Sequence, residues 1–270
     1  MKVLDNIHVF QDETLGQNAT LILGDEACIL VDNRQNIPLA KELQKDIRSV
    51  TDRPIKYVIN THYHGDHVFG NQVFSEAVEI IGHKNVRSTL LEIGEQHKEF
   101  FGDYFKVPDT DKVVITPPTL TFDKELSLQF GDKTVNIIHT GSAHTNTDAY
   151  IYVPELRLLI TGDMLFNGFL GFSGDPNCSI RNWIKALEEM ERLDVETVVP
   201  GHGPVGNKDD LTAFRGYLEK LLAAVKQEMD NGRSLAEMKE SLKLPDYKDW
   251  GHYEDWLGVN IETAYNELGG

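Results

Sequence analysis

The chain has 270 residues, 40% hydrophobic and 26% charged, which is typical of a globular protein with a sizeable core. Its formal net charge of −17 argues against a nucleic acid partner and against an anionic membrane surface, because both require basic patches. No apolar run approaches a membrane span, the start lacks the apolar segment of a secretory signal, and two cysteines make no disulfide framework. We therefore expect a cytoplasmic protein.

The first half of the chain predicts short strands with helices between them. Strands are expected at residues 7–10, 19–23, 27–31, 55–60 and 78–81, where β-rich apolar runs are separated by turn residues. A helix is predicted over residues 38–50, since Pro38 suits a first helical turn, and another near residues 86–99.

The second half begins with strands and ends with helices. Strands at 126–130 and 135–139 flank a hairpin turn, and strands follow at 149–153, 156–161 and 196–199. A helix is expected over residues 180–192, and helices continue from residue 207, with a capping box at residues 234–237. Two blocks of strands, each followed by helices, predict an α/β fold, a four-layer αββα sandwich of two mixed β-sheets with outer helices. Residues 1–206 would form this domain, and residues 207–270 would be C-terminal helices packed on it.

Residues 61–67, Thr-His-Tyr-His-Gly-Asp-His, are called the histidine run below. In extended backbone, His62 and His64 point the same way, while Gly65 lets the chain turn so that Asp66 and His67 face another direction. Imidazole and carboxylate groups are the ligands of hydrolytic zinc sites. A polar strand end would explain one histidine, but it explains four such groups at this spacing poorly.

Three further metal-capable residues follow predicted strands. His144, Asp163 and His202 each lie close to a glycine, which permits tight turning and close approach to a site. Each alone is typical of a turn or an exposed loop. Together with the histidine run, however, the arrangement of strand, glycine and ligand occurs four times.

These motifs, in this order, resemble those of the metallo-β-lactamase fold superfamily of hydrolases. The resemblance implies that His62, His64 and His144 bind a first metal ion, that Asp66, His67 and His202 bind a second, and that Asp163 bridges both. The pattern is most similar to hydroxyacylglutathione hydrolases and lactonases. A dedicated β-lactamase is less expected, because a histidine stands at position 67 and no cysteine stands near position 163.

The resemblance implies a metal-dependent hydrolase in which a hydroxide bridging two metals cleaves a small ester, lactone, thioester or amide. Asp66 would also orient the hydroxide and pass a proton to the leaving group. Two zinc ions are the expected cofactors, with iron or manganese as alternatives because the site lacks thiolate. The alternative functions are a small-molecule phosphodiesterase and an iron-dependent oxidoreductase at the same site. The expected partner is a small-molecule substrate, and the chain would be a monomer or a homodimer.

Aromatic residues could line the substrate pocket or pack in the core. The two segments are residues 100–105 and 165–172, and the preferred pocket residues are Phe166 and Phe172. Candidates for supporting the ligands are Thr61, Thr145, Thr147 and Asp148. The remaining histidines are expected to be surface or structural: His8, His83, His97, His139 and His252.

Overall fold

Two mixed β-sheets and eight α-helices make up the part of the chain that the computed structural model describes, residues 1–76 and 78–270. The strands are β1 (Lys2–Leu4), β2 (Ile7–Gln11), β3 (Asn18–Leu23), β4 (Cys28–Val31), β5 (Ile55–Ile59), β6 (Glu79–His83), β7 (Leu120–Phe122), β8 (Glu125–Phe130), β9 (Lys133–His139), β10 (Ala149–Val153), β11 (Leu158–Ile160) and β12 (Thr197–Val199). The helices are α1 (Ile37–Val50), α2 (Gly65–Val68), α3 (Asn71–Phe74), α4 (Lys84–Tyr104), α5 (Ile180–Glu191), α6 (Lys208–Asp230), α7 (Leu235–Ser241) and α8 (Tyr253–Glu267). The predicted αββα class is confirmed.

The chain divides into two compact units. The first unit comprises Met1–His139 and Ala149–Leu156, and the second comprises Thr140–Asp148 and Arg157–Gly270. Helices α6 to α8 all belong to the second unit. The predicted boundary after residue 206 stays a prediction.

The first unit contains the seven-stranded sheet, in the order β1 to β7. The strands from β1 to β4 pair antiparallel, whereas those from β4 to β7 pair parallel. Helix α1 buries Ala40, Leu43 and Ile47 against this sheet, and Asn36 caps its first turn by accepting from the Leu39 amide at 3.0 Å. Parallel pairing of β4 with β5 brings the carboxyl ends of both strands to one edge, where the histidine run begins.

Strands β8 to β12 form the second, five-stranded sheet. In the first unit, β8, β9 and β10 pair antiparallel, as expected for the predicted hairpin at Gly131-Asp132. In the second unit, β11 pairs parallel with β12. The carboxyl ends of β11 and β12 therefore lie side by side, and the next residues along each strand lead to Asp163 and His202.

The C-terminal helices of the second unit hold the loop that follows Asp163. Asn260, buried on α8, donates from Nδ2 to the Gly171 carbonyl at 2.8 Å and accepts from the Ser173 hydroxyl at 2.7 Å. Tyr217 on α6 accepts a further hydrogen bond from the Asn260 amide at 2.6 Å. Side-chain contacts from α6 and α8 thus fix a segment without regular structure.

Several short elements are absent from the sequence prediction. Strands β1 and β7 and helices α2 and α3 span three or four residues each, too few to show a period. Helix α4 is longer than predicted and includes most of the aromatic segment 100–105. Among the described residues, the structure contains no helix with the length and apolar character needed to cross a membrane.

Candidate metal centre

The histidine run folds as a strand end followed by one helical turn. His62 and His64 follow β5, and α2 begins at Gly65, where a Cβ atom would overlap the ring of Phe69. Asp66 and His67 lie on α2, and both are buried. The His62 ring lies 4.8 Å from the His64 ring and 4.2 Å from the His67 ring, measured between centroids. The predicted turn at Gly65 is present, and the three imidazoles cluster.

Asp32 fixes the orientation of His67. The Nδ1 atom of His67 lies 2.8 Å from Oδ2 of Asp32, which also accepts the Thr61 hydroxyl at 2.8 Å. The Thr61 amide donates to Oδ1 of Asp32 at 2.9 Å. Burial raises the pKa of Asp32, while His67 and Thr61 lower it. With Nδ1 directed at a carboxylate, the Nε2 atom of His67 is the one available to a metal ion.

The main chain of residues 32–34 positions the same turn. Amides of Asn33 and Arg34 donate to the carbonyls of His67 and Asp66, at 3.2 and 3.0 Å. The Asn60 side chain adds a hydrogen bond to the His67 carbonyl at 3.3 Å. Because these bonds involve backbone atoms, the ligand positions in this unit are set by the fold.

In the second unit, Asp163 lies between two imidazoles. Its Oδ2 atom is 3.5 Å from Nε2 of His144 and 3.3 Å from Nε2 of His202. The loops after β11 and β12 are hydrogen-bonded, since the Gly201 amide donates to the Gly162 carbonyl at 2.8 Å. A Cβ atom at Gly201 would overlap Oδ1 of Asp163, so this position requires glycine.

The spacing of these donor atoms suits a shared metal ion. Two ligand atoms that each lie about 2.0–2.1 Å from zinc at tetrahedral angles are about 3.3 Å apart. The pairs His67 with Asp66 at 3.4 Å, His144 with Asp163 and His202 with Asp163 all have this separation. Within the first unit, the ligand atoms of His62 and His64 lie within 4.8 Å of each other, as do those of Asp66 and His67. Within the second unit, the ligand atoms of His144 and Asp163 lie within the same distance. The residues therefore fit the implied metals, and the assignment of each residue to an ion stays a prediction.

The loop that carries His144 is internally hydrogen-bonded. The carboxylate of Asp148 accepts from the Thr145 amide and hydroxyl, both at 2.7 Å, and the hydroxyls of Thr145 and Thr147 are 2.8 Å apart. Trp183 on α5 lies 5.2 Å from the His144 ring between centroids, and its indole N–H donates to the Met164 carbonyl at 2.9 Å. Thr145, Thr147 and Asp148 thus hold the His144 loop, and their support of a metal ligand stays a prediction.

Comparison with known proteins places the chain in a family. The family described as the metallo-beta-lactamase superfamily matches residues 12–202. The chain belongs to this superfamily. The match begins in the loop after β2 and ends at His202, so it includes all seven predicted ligands.

Relatives within the superfamily are distant. The chain is 24% identical over 202 residues to a metallo-beta-lactamase type 2 from Bacillus sp. (strain 170), covering 74% of this chain and 71% of that protein. It is 22% identical over 267 residues to a linear primary-alkylsulfatase from Pseudomonas sp. (strain ATCC 19151), covering 83% of this chain and 49% of that protein.

A solved structure of a stereoselective inverting sec-alkylsulfatase from Pseudomonas sp. matches with a TM-score of 0.79 at 18% identity. That match covers 100% of this chain and 50% of the sulfatase, so the chain spans about half the length of the alkylsulfatases it matches. A metallo-beta-lactamase from Pontibacter korlensis matches with a TM-score of 0.67 at 17% identity, covering 81% of this chain and 97% of the lactamase. These likenesses support the fold, and the named relatives are hydrolases.

The two aromatic residues predicted to line the pocket lie in the second unit. Phe166 is 2% exposed and stacks on His202 with centroids 4.9 Å apart and planes at 6°. Phe172 is 7% exposed and packs edge-on against Trp256. Both contact other aromatic rings, and contact with a substrate stays a prediction for each.

One residue beside the predicted ligands, Asp32, was not identified from the sequence. Asp32 directly follows the buried strand β4. Its position beside the histidine run could have been predicted from the parallel pairing of β4 with β5. His97 was expected to be surface or structural, and it is buried on α4 with its ring stacked 5.6 Å from that of His64. The four-residue spacing of His97 and Phe101 predicts that the His97 side chain is buried. It does not predict that His97 stacks on His64.

Proposed function

We propose that the chain is a dinuclear zinc hydrolase that cleaves a small ester, lactone, thioester or amide. The observation that carries the proposal is Asp163 Oδ2 at zinc-ligand separation from both His144 and His202. The resemblance assigns those two histidines to different ions, so one carboxylate oxygen beside both is what a bridging ligand requires. Zinc is preferred because every ligand is an imidazole or a carboxylate, while iron and manganese are the alternatives.

Two bound ions would supply a water molecule with a pKa near neutrality and positive charge against a developing oxyanion. The residues of the chain provide the remaining functions. Oδ2 of Asp66 lies 3.4 Å from Nε2 of His67. The Asp66 carboxylate would orient the attacking water and pass its proton to the leaving group. Asp32 and Thr61 would keep the His67 ring in one orientation.

A sulfate ester is the second candidate substrate. The fold likeness to the sec-alkylsulfatase extends over the whole chain, including the helices after residue 206. The β-lactamases match a smaller share of the chain. This supports an alkyl sulfate as the alternative to a carbonyl substrate.

The test is acid release by the metal-loaded protein, with metal content measured on the same samples. Substrates would be aryl esters, lactones, glutathione thioesters, β-lactams, phosphodiesters and alkyl sulfates. Asp163→Ala should lose turnover and metal together, whereas Asp249→Ala, an exposed aspartate of the same unit, should retain both.

Each outcome decides between the candidates. Turnover of a carbonyl substrate that is lost in Asp163→Ala supports the proposal. Turnover of alkyl sulfates or of phosphodiesters alone overturns the carbonyl assignment. Two bound ions with no turnover of any class overturn the hydrolase assignment.

A further inference from the structure

The ring of Phe166 contacts two predicted metal ligands of the second unit. It stacks on the His202 imidazole with centroids 4.9 Å apart and planes at 6°, and it meets the His144 imidazole edge-on at 5.6 Å and 65°. The resemblance assigns these two histidines to different ions. One apolar ring is therefore shared by a ligand of each predicted ion.

The main chain on both sides of Phe166 is hydrogen-bonded to the loop that carries His202. The Leu165 carbonyl accepts from the Gly201 amide at 3.2 Å, and the Asn167 amide donates to the His202 carbonyl at 2.9 Å. Phe166 and His202 thereby form a short parallel β-bridge. Backbone contacts thus fix where the Phe166 ring lies relative to the His202 imidazole.

The Phe166 side chain also packs among further aromatic rings. It is 2% exposed, and its ring lies 6.3, 6.2 and 6.0 Å from those of Trp183, Phe214 and Trp256, measured between centroids. Close packing among buried rings restricts the rotation of each one. So small an exposed surface favours support of the ligands over contact with a substrate.

An imidazole that is oriented before the metal arrives binds with a smaller loss of side-chain entropy. Ordering one side chain on binding weakens affinity about two- to tenfold. The stacked Phe166 ring restricts rotation of the His202 imidazole, and the edge-on contact restricts that of His144. Phe166 therefore removes part of this cost for both ligands.

We infer that Phe166 is a positioning residue that orients His144 and His202 together for the two metal ions. The inference rests on the proposed function, and it gives the ring a role different from the predicted contact with a substrate. Phe166 acts through the ligands and does not touch the reacting atoms. Its loss should weaken the binding of both ions.

The test is the metal affinity of Phe166→Leu, measured by competition with a chromophoric chelator. Leucine keeps an apolar side chain but has no ring to stack on an imidazole. Each ion should bind about two- to tenfold more weakly than in the wild type. In the cobalt-loaded protein, the visible absorption bands should be broader, because the imidazoles then adopt more than one orientation.

Phe214→Leu is the matched control. Phe214 is 1% exposed on α6, and its ring contacts among the described residues are with Phe166, Trp183, Tyr217 and Trp250, none of which is a predicted ligand. Urea unfolding of the chelator-treated proteins should show similar losses of stability for both substitutions, because each removes a ring from the same buried cluster. Metal affinity and the cobalt spectrum of Phe214→Leu should match those of the wild type.

Three results would overturn the inference. The first is wild-type affinity for either ion in Phe166→Leu. The second is an equal loss of affinity in Phe214→Leu, since it would indicate a general loosening of the aromatic cluster. The third is a raised KM with wild-type metal affinity, since it would assign the Phe166 ring to the substrate pocket.

Failure of the proposed function would look different. Two bound ions without turnover would reject the hydrolase assignment, while weaker binding of both ions by Phe166→Leu would still support the positioning role. A wild type that binds one ion or none would overturn both.

Discussion

At the residue scale, the side chain of Asp32 shows how the fold prepares a ligand. Both of its oxygens accept hydrogen bonds from Thr61, and one of them also faces His67. A metal-binding histidine that donates its second ring nitrogen to a carboxylate is a better ligand, because its orientation and tautomer are fixed. Asp32 would therefore act on a metal ion bound by His67 through its hydrogen bond to that ring.

Asp32→Asn should lower metal affinity about 10- to 100-fold, since the neutral amide no longer supports the imidazole. Competition with a chromophoric chelator would measure the change. Asp12→Asn is the control, because Asp12 is also buried and accepts from Thr14 and Gln35 without contacting a predicted ligand. Equal metal affinities for Asp32→Asn and the wild type would contradict the assigned role.

The sequence was sufficient to predict that the side chains of the histidine run cluster, and insufficient to identify Asp32 beside them. His62, His64, Asp66 and His67 are adjacent in the chain, so local spacing alone predicts their clustering. Asp32 is far from them in sequence, and only the pairing of β4 with β5 brings it into contact. Long-range contacts of this kind are not contained in any local pattern.

At the scale of elements, α4 begins at a histidine where a small polar cap is usual. Nδ1 of His83 accepts from the Asn85 amide at 3.3 Å, and Nε2 donates to the Asp123 carbonyl at 2.8 Å. The ring also stacks on His139 with centroids 3.8 Å apart. Burial, and secondly the adjacent His139, lower the pKa of His83 to about 4. Helix α4 is therefore capped by a neutral His83 imidazole.

His83 should make folding stability fall in acid. Its pKa in the folded protein is below the unfolded value of about 6.5, so the unfolded chain binds more protons as pH falls from about 6.5 to about 4. His83→Asn keeps a cap without a titrating group. Between about pH 6.5 and about pH 4, the free energy of unfolding should fall about 2 kcal/mol less for the variant than for the wild type.

Urea unfolding of chelator-treated protein at about pH 7 and about pH 4.5 would measure this difference. His252→Asn, which replaces an exposed histidine, should retain the wild-type pH dependence. Parallel profiles for the wild type and His83→Asn would contradict the prediction.

The sequence predicts the helices and strands of ordinary length. It does not predict where some of them begin or end. Hydrophobic period and Pro38 predict α1 nearly to the residue. Helix α4 extends to Tyr104, beyond the predicted end near residue 99, because Phe101 packs on Phe69 inside the first unit. Packing between distant residues can thus extend a helix. No residue near the end of the helix signals this extension in the sequence.

At the scale of the whole molecule, the net charge of −17 acts on every approaching substrate. Salt screens such a field, since the Debye length falls from about 30 Å at 0.01 M to about 10 Å at 0.1 M ionic strength. For an anionic ester, kcat/KM should therefore rise about threefold over that range. A neutral ester with the same leaving group should show no change.

Steady-state rates at constant pH and metal loading would provide the measurement. A rate that falls with salt for the anionic ester would contradict the prediction, because it would mean that the local field at the site attracts anions.

The position of Trp183 determines the fluorescence that its indole should show. Its indole is fully buried and lies 5.2 Å from the ring of His144, so it should emit at short wavelength and sense any ion bound there. Zinc has a closed shell and should leave this fluorescence largely intact, whereas iron and manganese carry unpaired electrons and should quench it. The chain thus contains its own reporter for the identity of the metal, and titration of each ion in turn would need no added dye.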